Sequence, residues 1–205
     1  MKLALFGSTG RVGSVVYNHA KHDHSIRRLV RRHIEPDTLA TDEHVVVGDV
    51  LNEGDVSETI AGCDAVLCCL NTDKEDVLSR SMPLILKAMR QHKINRIVTC
   101  GTAGILDSRI EPHLYRFQSS EAKRRSTIAA EDHLRAFMML QASGLDWTVV
   151  CPTYLPDGER IGVYRTSENT LPKDGRSISI YDTGDFMYKE LMEPQFVRRR
   201  VGICY

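Results

Sequence analysis

Residues 2–13, KLALFGSTGRVG, combine a short apolar run with three glycines, Gly7, Gly10 and Gly13, in the spacing GxxGxxG. In a strand-turn-helix unit, the first glycine lets the chain leave the strand sharply, the second lets the backbone approach a pyrophosphate, and the third lets the helix pack closely on the strand. Amides at the start of the helix and the positive end of its dipole then attract phosphate. The stretch therefore predicts a turn that binds the pyrophosphate of a dinucleotide.

The rest of the chain alternates between apolar runs and amphipathic stretches. Runs of Val, Ile and Leu without clean alternation are typical of strands covered on both faces, and repeated strand-helix-strand units with right-handed crossovers build a parallel sheet. We therefore predict an α/β fold, a single-domain Rossmann-like doubly wound parallel sheet with helices on both faces, over residues 1–205. The predicted strands are 2–7, 26–31, 44–50, 64–71, 95–102 and 145–154, and the predicted helices are 11–22, 79–92 and 129–144.

The longest irregular segment is 155–176, LPDGERIGVYRTSENTLPKDGR. It follows the last predicted strand and so leaves the edge of the sheet at which ligands bind in this class of fold. Two interpretations fit it equally well: an excursion with a small hairpin, or a flap on the substrate side of the site.

The charge balance argues against a nucleic-acid or membrane partner. The 205 residues contain 27 Lys and Arg and 27 Asp and Glu, so the formal net charge is zero and a global basic field is absent. The basic clusters at 123–126 and 197–200 fit a solvated helix start and a terminal strand. No stretch approaches the roughly 18 apolar residues of a membrane helix, and Gly7 interrupts the first apolar run too early for a signal peptide.

The six cysteines do not form a metal or disulfide pattern. No CxxC pair occurs, and the adjacent Cys68 and Cys69 point to opposite faces of a predicted strand, so both cannot easily bind one ion. We expect no metal site, and buried reduced thiols in a cytoplasmic protein.

The second predicted strand ends in LVRRH, residues 29–33. An NAD-preferring site places Asp or Glu there to bind the ribose hydroxyls, whereas Arg31 and Arg32 supply guanidinium groups that suit the oxygens of a 2′-phosphate. The sequence therefore favours NADP(H) over NAD(H); the alternative is a solvated basic strand end.

Two further strand ends complete the predicted cofactor site. Asp49 and Val50 end the third strand, where the adenine ring would lie, and Asn71 and Thr72 end the fourth, near the nicotinamide half.

Several segments, in order along nearly the whole chain, resemble one known family. The sequence is similar to the atypical short-chain dehydrogenase/reductases with an NmrA-like NAD(P)-binding fold, and within them to the biliverdin-IXβ reductases, also called flavin reductases. The segments that carry the resemblance are LALFGSTGRVG (3–13), LVRR (29–32), GDVLN (48–52), AMRQHKINRIV (88–98), EDHLRAFMMLQASGLDWTVV (131–150) and SISIYDTGDFMYKEL (177–191).

The resemblance implies a role for individual residues. Arg31 corresponds to the 2′-phosphate contact, and the second arginine of the family site is replaced by Glu35, for which Arg32 would compensate. Asp49 and Val50 correspond to the adenine contacts. The implied phosphate loop consists of Gly7, Thr9, Gly10, Arg11, Val12 and Gly13.

The usual Tyr-x-x-x-Lys proton relay of short-chain dehydrogenases is missing. The pair Tyr17 and Lys21 has the spacing but lies on the first helix, behind the phosphate loop, and the predicted helix at 129–144 contains neither Tyr nor Lys. Reduction remains feasible, because a flavin, quinone or conjugated tetrapyrrole accepts hydride while solvent supplies the proton.

The predicted catalytic residues are Thr102, His133 and Tyr154. Thr102 ends a central strand and corresponds to a serine of the flavin reductases; it either orients the nicotinamide or substrate, or caps the following turn. His133 shares a largely apolar helix face and is either a proton donor or a half-buried structural histidine. Tyr154, which replaces a family histidine, would line the substrate pocket or donate a hydrogen bond.

Three functions are compatible with these features. The first is an NADPH-dependent reductase of a flat conjugated acceptor. The second is a non-catalytic NADP sensor of the NmrA-like kind, which the missing Tyr and Lys favour. The third is a sugar-nucleotide epimerase or dehydratase, against which the short C-terminal region and the same missing pair argue.

Overall fold

The structure, a computed structural model, describes residues 1–31, 42–72, 76–122 and 126–205. Three residues of the basic cluster at 123–126 lie outside these ranges. The helices are α1 (Arg11–Ala20), α2 (Glu53–Ile60), α3 (Val77–Gln91), α4 (Ile128–Ala142) and α5 (Ile180–Met192). The strands are β1 (Lys2–Phe6), β2 (Ser25–Val30), β3 (Asp42–Val47), β4 (Ala65–Cys68), β5 (Arg96–Cys100), β6 (Asp146–Pro152), β7 (Arg165–Glu168) and β8 (Arg199–Cys204).

All eight strands form one sheet in the order β3-β2-β1-β4-β5-β6-β8-β7. Every neighbouring pair is parallel except β7 and β8. Strands β2 and β3 lie on one side of β1, and β4 lies on the other side of β1. The strand order therefore reverses between β1 and β4. In doubly wound sheets a ligand binds at this reversal, beyond the carboxyl ends of the strands.

Helices cover both faces of the sheet, as predicted. Along β1, Leu3 and Leu5 pack with α1 and α5, whereas Ala4 and Phe6 pack with α2, α3 and α4. Both faces of the strand are therefore buried, which explains why its sequence lacks the alternation of a half-exposed strand.

Local sequence patterns missed α2, α5 and β7, whereas the terminal strand expected at 197–200 is present as β8 (Arg199–Cys204). Helix α2 has only eight residues, three of them buried, and β7 consists of the polar residues RTSE. Helix α5 contains Gly184, which lowers helix propensity, but a Cβ there would lie 2.7 Å from Val15 Cγ1 of α1. Gly184 therefore permits close packing of α5 on α1, a requirement that no local pattern expresses.

The segment 155–176 contains an irregular stretch, 155–164, followed by β7. We call residues 155–164 the strap. Strand β7 pairs with β8, near the C-terminus, rather than with a neighbour in the segment, so the interpretation as a small local hairpin is wrong. In the described ranges no helix combines the length and apolarity that crossing a membrane requires.

Candidate cofactor and active site

The turn after β1 has the geometry that its three glycines predict. Gly7 adopts a φ of +78°, and a Cβ there would lie 2.5 Å from the carbonyl oxygen of Cys69. A Cβ on Gly13 would lie 2.0 Å from the carbonyl oxygen of Gly7, so only glycine lets α1 start this close to the strand. The amide of Gly10 donates to the same oxygen at 3.0 Å and closes the turn.

The N-terminus of α1 is open to a ligand. Gly10 precedes the helix in an extended conformation, and the described residues provide no side-chain cap. No acidic residue lies in the first turn. The first amides of a helix have no acceptor within the helix, so the amides at Arg11, Val12 and Gly13 are available to an anion.

Two buried hydroxyl groups beside this turn support the same conclusion. Ser8 is 3% exposed and Thr72 is 6% exposed. Among the residues that the structure describes, neither Ser8 Oγ nor Thr72 Oγ1 has a hydrogen-bond partner. A buried hydroxyl without a partner is unfavourable, although neither residue is part of the cleft wall described below. The turn therefore fits the phosphates of a dinucleotide.

A cleft of about 410 Å³ extends from this turn along the carboxyl ends of four strands. It brings together residues that follow β1, β2, β3 and β4, including Asn71 from the last of these. Seven of the predicted cofactor residues line it: Gly7, Thr9, Gly10, Arg31, Asp49, Val50 and Asn71. Phe6, Leu29, Val30, Gly48, Leu51, Cys69, Leu70 and Val77 complete the wall.

The cationic end of β2 lies at this cleft. Arg31 directly follows β2, is exposed and lines the wall. Arg32 and Glu35 lie outside the described residues, so a second arginine contact remains a prediction. The 2′-phosphate contact of Arg31 likewise stays a prediction.

The turn after β3 forms the far wall of the cleft. The carboxylate of Asp49 accepts a hydrogen bond from the amide of Leu51 at 2.9 Å, and the amide of Gly48 donates to the carbonyl of Val30 at 2.9 Å. Asp49 itself is exposed and faces the cleft with Val50. A carboxylate and apolar side chains suit the amino group and the faces of a base.

Arg11 contacts the strap as well as the phosphate turn. Its Nε donates to Asp157 Oδ1 at 2.8 Å, and its Nη2 donates to the carbonyl of Leu155 at 2.7 Å. Both side chains of the ion pair are more than half exposed, so the pair itself contributes little to stability. The pair instead fixes the position of the strap, because it connects Asp157 to the first residue of α1.

A buried carboxylate fixes the middle of the strap to α5. Asp182 is fully buried and accepts from the amides of Ile161 and Gly162, both at 2.9 Å, and from the hydroxyl of Tyr205 at 2.6 Å. Burial alone would raise the pKa of Asp182, but these hydrogen bonds outweigh it and hold the pKa below its usual value. The sequence analysis missed Asp182, because its hydrogen-bond donors are distant in the chain.

Thr102 and His133 lie near the carboxyl end of β5. Thr102 Oγ1 accepts from the amide of Gly104 at 3.3 Å and begins a short 3-10 helix over Ala103–Ile105. The capping interaction considered as the alternative is therefore present. His133, half-buried on α4, lines a very small void together with Gly101. The active-site roles of Thr102 and His133 remain predictions.

Tyr154 follows β6 and is not among the residues that line the cleft. Its side chain is 71% exposed, and its backbone forms an isolated parallel bridge with Ser177. The lining role of Tyr154 stays a prediction.

Burial shifts the pKa values of the cysteines near the cleft upward, which favours the thiol over the thiolate. All six are free, and burial raises the pKa of Cys100 to about 12 and that of Cys69 well above its usual range. In the described ranges no three metal-ligating side chains cluster together. Chemistry by a thiolate at this site is therefore disfavoured.

A comparison with protein families matches most of the chain. A family model described as NAD(P)H-binding covers residues 7–194. The match begins at the first glycine of the phosphate turn and extends beyond α5, and so includes the cleft, Thr102, His133 and the strap.

Solved structures share the fold over the full chain. A proposed epimerase from Bacteroides thetaiotaomicron is 25% identical, with a TM-score of 0.85 over 100% of this chain and 96% of that one. A proposed NADH-flavin reductase from Streptococcus pneumoniae is 21% identical, with a TM-score of 0.84 over 100% and 99%. A proposed exported protein from Burkholderia pseudomallei is 23% identical, with a TM-score of 0.83 over 100% of both chains. At these identities the likeness establishes a common fold.

Proposed function

The chain belongs to the NAD(P)H-binding family, and we propose that within it the protein is an NADPH-dependent reductase that transfers hydride to a flat, conjugated acceptor such as a flavin, a quinone or a tetrapyrrole. The observation that carries the proposal is the position of Thr102 and His133 near the carboxyl end of β5, at the same edge of the sheet as the turn after β1.

The cofactor would be held by groups on four strand ends. The open amides of α1 and the buried hydroxyls of Ser8 and Thr72 would bind the phosphates. Arg31 supports a preference for NADPH, because its guanidinium suits a 2′-phosphate and a carboxylate at this position would repel one. When bound, the reduced nicotinamide supplies a hydride.

The protein's own groups would orient the acceptor and limit the access of water. Thr102 would direct its hydroxyl to the nicotinamide carboxamide or to an oxygen of the acceptor, and Tyr154 would offer an exposed ring at the mouth of the site. His133 is the candidate for holding a proton near the acceptor. The structural likeness to a proposed NADH-flavin reductase supports a flavin among the acceptors.

A non-catalytic NADP sensor is the second candidate. The engagement of the Thr102 hydroxyl by the amide of Gly104 and the high exposure of Tyr154 favour it, because neither side chain is held for catalysis. A sensor would share the cofactor cleft and lack turnover.

One experiment separates these functions. NADPH and NADH are titrated by fluorescence, and NADPH oxidation is then followed with FMN, a quinone and biliverdin, for the wild type and for Thr102→Val. We expect tighter binding of NADPH, turnover with at least one acceptor, and a loss of turnover in the variant with cofactor binding intact. Tight NADPH binding without turnover on any acceptor would favour the sensor.

The setting that we propose is a reducing compartment, namely the cytoplasm. Six free cysteines, four of them buried, support this proposal. The proposed partner is the small-molecule acceptor alone, without nucleic acid or membrane, because the formal net charge is zero.

A further inference from the structure

The turn between β3 and α2 is held by a carboxylate that does not itself line the cleft. Asp55 Oδ2 accepts a hydrogen bond from the backbone amide of Asp49 at 2.8 Å. A Cβ on Gly48 would lie 2.3 Å from the same oxygen, so the carboxylate lies directly against the backbone of the turn. Gly48 and Asp49 line the cleft, whereas Asp55 is not part of its wall.

This contact departs from ordinary helix capping. Asn52 precedes α2, and its Oδ1 accepts from the amide of Asp55 at 3.1 Å, as a capping residue does. In a capping box, the acidic side chain three residues into the helix bonds back to the amide of the capping residue. Asp55 instead reaches three residues further back, to Asp49, so its interaction serves the turn rather than the end of the helix.

The turn is consequently fixed at successive points. The amide of Gly48 is bonded to Val30, that of Asp49 to Asp55, and that of Leu51 to the Asp49 carboxylate. With its backbone held and one carboxylate oxygen engaged, Asp49 has little freedom to direct its side chain elsewhere. Among the described residues the other oxygen of the Asp49 carboxylate has no hydrogen-bond partner, so it is available to a donor in the cleft.

We propose that Asp55 is a positioning residue that makes the cofactor site selective for adenine, by holding Asp49 so that its carboxylate accepts from the exocyclic amino group of the base. The inference rests on the proposed function, since it takes the adenine to lie at this end of the cleft. A hypoxanthine base carries a carbonyl oxygen in place of the amino group, and the carboxylate of Asp49 therefore repels it.

The test compares the affinities for NADPH and for its deamino analogue, which carries hypoxanthine. For the wild type we expect about a tenfold preference for NADPH, the value of one hydrogen bond to a charged group. Asp55→Ala should reduce this preference to about twofold or less. Asp55→Asn should retain most of it, because its side-chain carbonyl oxygen still accepts from the amide of Asp49. Asp55→Ser should reduce the preference for NADPH in the same way and replaces Asp55→Ala if the alanine variant does not fold.

Asn52→Ala is the matched control, because it removes a cap from the same helix and leaves the Asp55–Asp49 contact in place. We expect it to lower thermal stability and to keep the base preference. An unchanged preference in both Asp55→Ala and Asp55→Ser, or an equal loss in Asn52→Ala, overturns the inference. A wild type that binds NADPH and its deamino analogue equally overturns it as well, with the cofactor assignment intact. A wild type that binds neither overturns the proposed function and this inference together.

Discussion

Gly13→Ala tests the phosphate turn at its tightest point. The added Cβ would lie 2.0 Å from the carbonyl oxygen of Gly7, whereas an ordinary contact begins at 3.4 Å. The obstructing atom belongs to the backbone of the turn, so α1 must move away from the strand by more than 1 Å. Overpacking of this kind costs about 1–3 kcal/mol, and the higher helix propensity of alanine offsets up to about 1 kcal/mol of that.

The effect on the cofactor should exceed the effect on stability. Hydrogen bonds require about 2.7–3.2 Å between heavy atoms, so a shift of more than 1 Å breaks the contacts from the amides of α1 to phosphate. Each bond to a charged acceptor contributes about 1.5–3 kcal/mol. Loss of one such bond corresponds to a decrease in affinity of about 10-fold to 100-fold, and loss of two to a decrease of about 100-fold to 10,000-fold.

Fluorescence titration with NADPH measures this decrease, and thermal unfolding of the free protein measures the change in stability. Gly54→Ala is the control, because Gly54 lies in α2 and, among the described residues, a Cβ there would meet only Asn52 Oδ1, at 3.2 Å. It should leave NADPH binding unchanged. If Gly13→Ala binds NADPH within about threefold of the wild type, the phosphates do not lie at the N-terminus of α1 and the reasoning from the glycines is wrong.

Four other substitutions or conditions have defined outcomes. Arg31→Ala should weaken NADPH about 5- to 30-fold in titrations, from the loss of one charge-assisted contact at an exposed site, and leave NADH within about twofold; equal losses for both cofactors would remove the 2′-phosphate assignment. Asp157→Ala should change the free energy of unfolding by less than about 1 kcal/mol yet speed proteolytic cleavage within the strap, because it removes the acceptor of Arg11 Nε and leaves the Leu155 carbonyl as the strap's acceptor for Arg11; unchanged cleavage would contradict this connection. Asp182→Ala should lower the free energy of unfolding by about 2–4 kcal/mol in urea titrations, because two strap amides lose their acceptor; a loss below about 1 kcal/mol would mean that the strap finds other partners. Because burial raises the pKa of Cys100 to about 12, the thiol contributes stability that is fully present below pH 9 and is lost as the pH rises towards 12; folded protein should resist alkylation by iodoacetamide at pH 8, measured by mass spectrometry, and rapid labelling would show that the strand opens.

The parts of the molecule that follow from local rules could be predicted from sequence. The glycine spacing predicted a tight turn after β1, because only glycine fits these positions. The positive φ of Gly7 and the 2.0 Å between a Cβ on Gly13 and the carbonyl oxygen of Gly7 confirm this steric requirement. The apolar runs identified β1 to β6 because a strand buried on both faces needs continuous apolar residues. Arg31 could be assigned to the cofactor cleft because the carboxyl ends of parallel strands meet at one edge.

Contacts between distant segments could not be predicted in this way. Arg11 was assigned to the phosphates by its place in the turn, but its bond to Asp157 depends on where the strap crosses α1. Asp182 has its donors about 20 residues away on either side, and nothing in the local pattern of α5 distinguishes it from a surface carboxylate. Such pairs arise when the sheet brings loops together, so their energies depend on three-dimensional proximity rather than on spacing along the chain. The order of residues alone therefore specifies the nucleotide-binding fold and its glycine turn. Which side chains hold the strap depends on the tertiary structure, because those contacts join residues that are far apart in the chain.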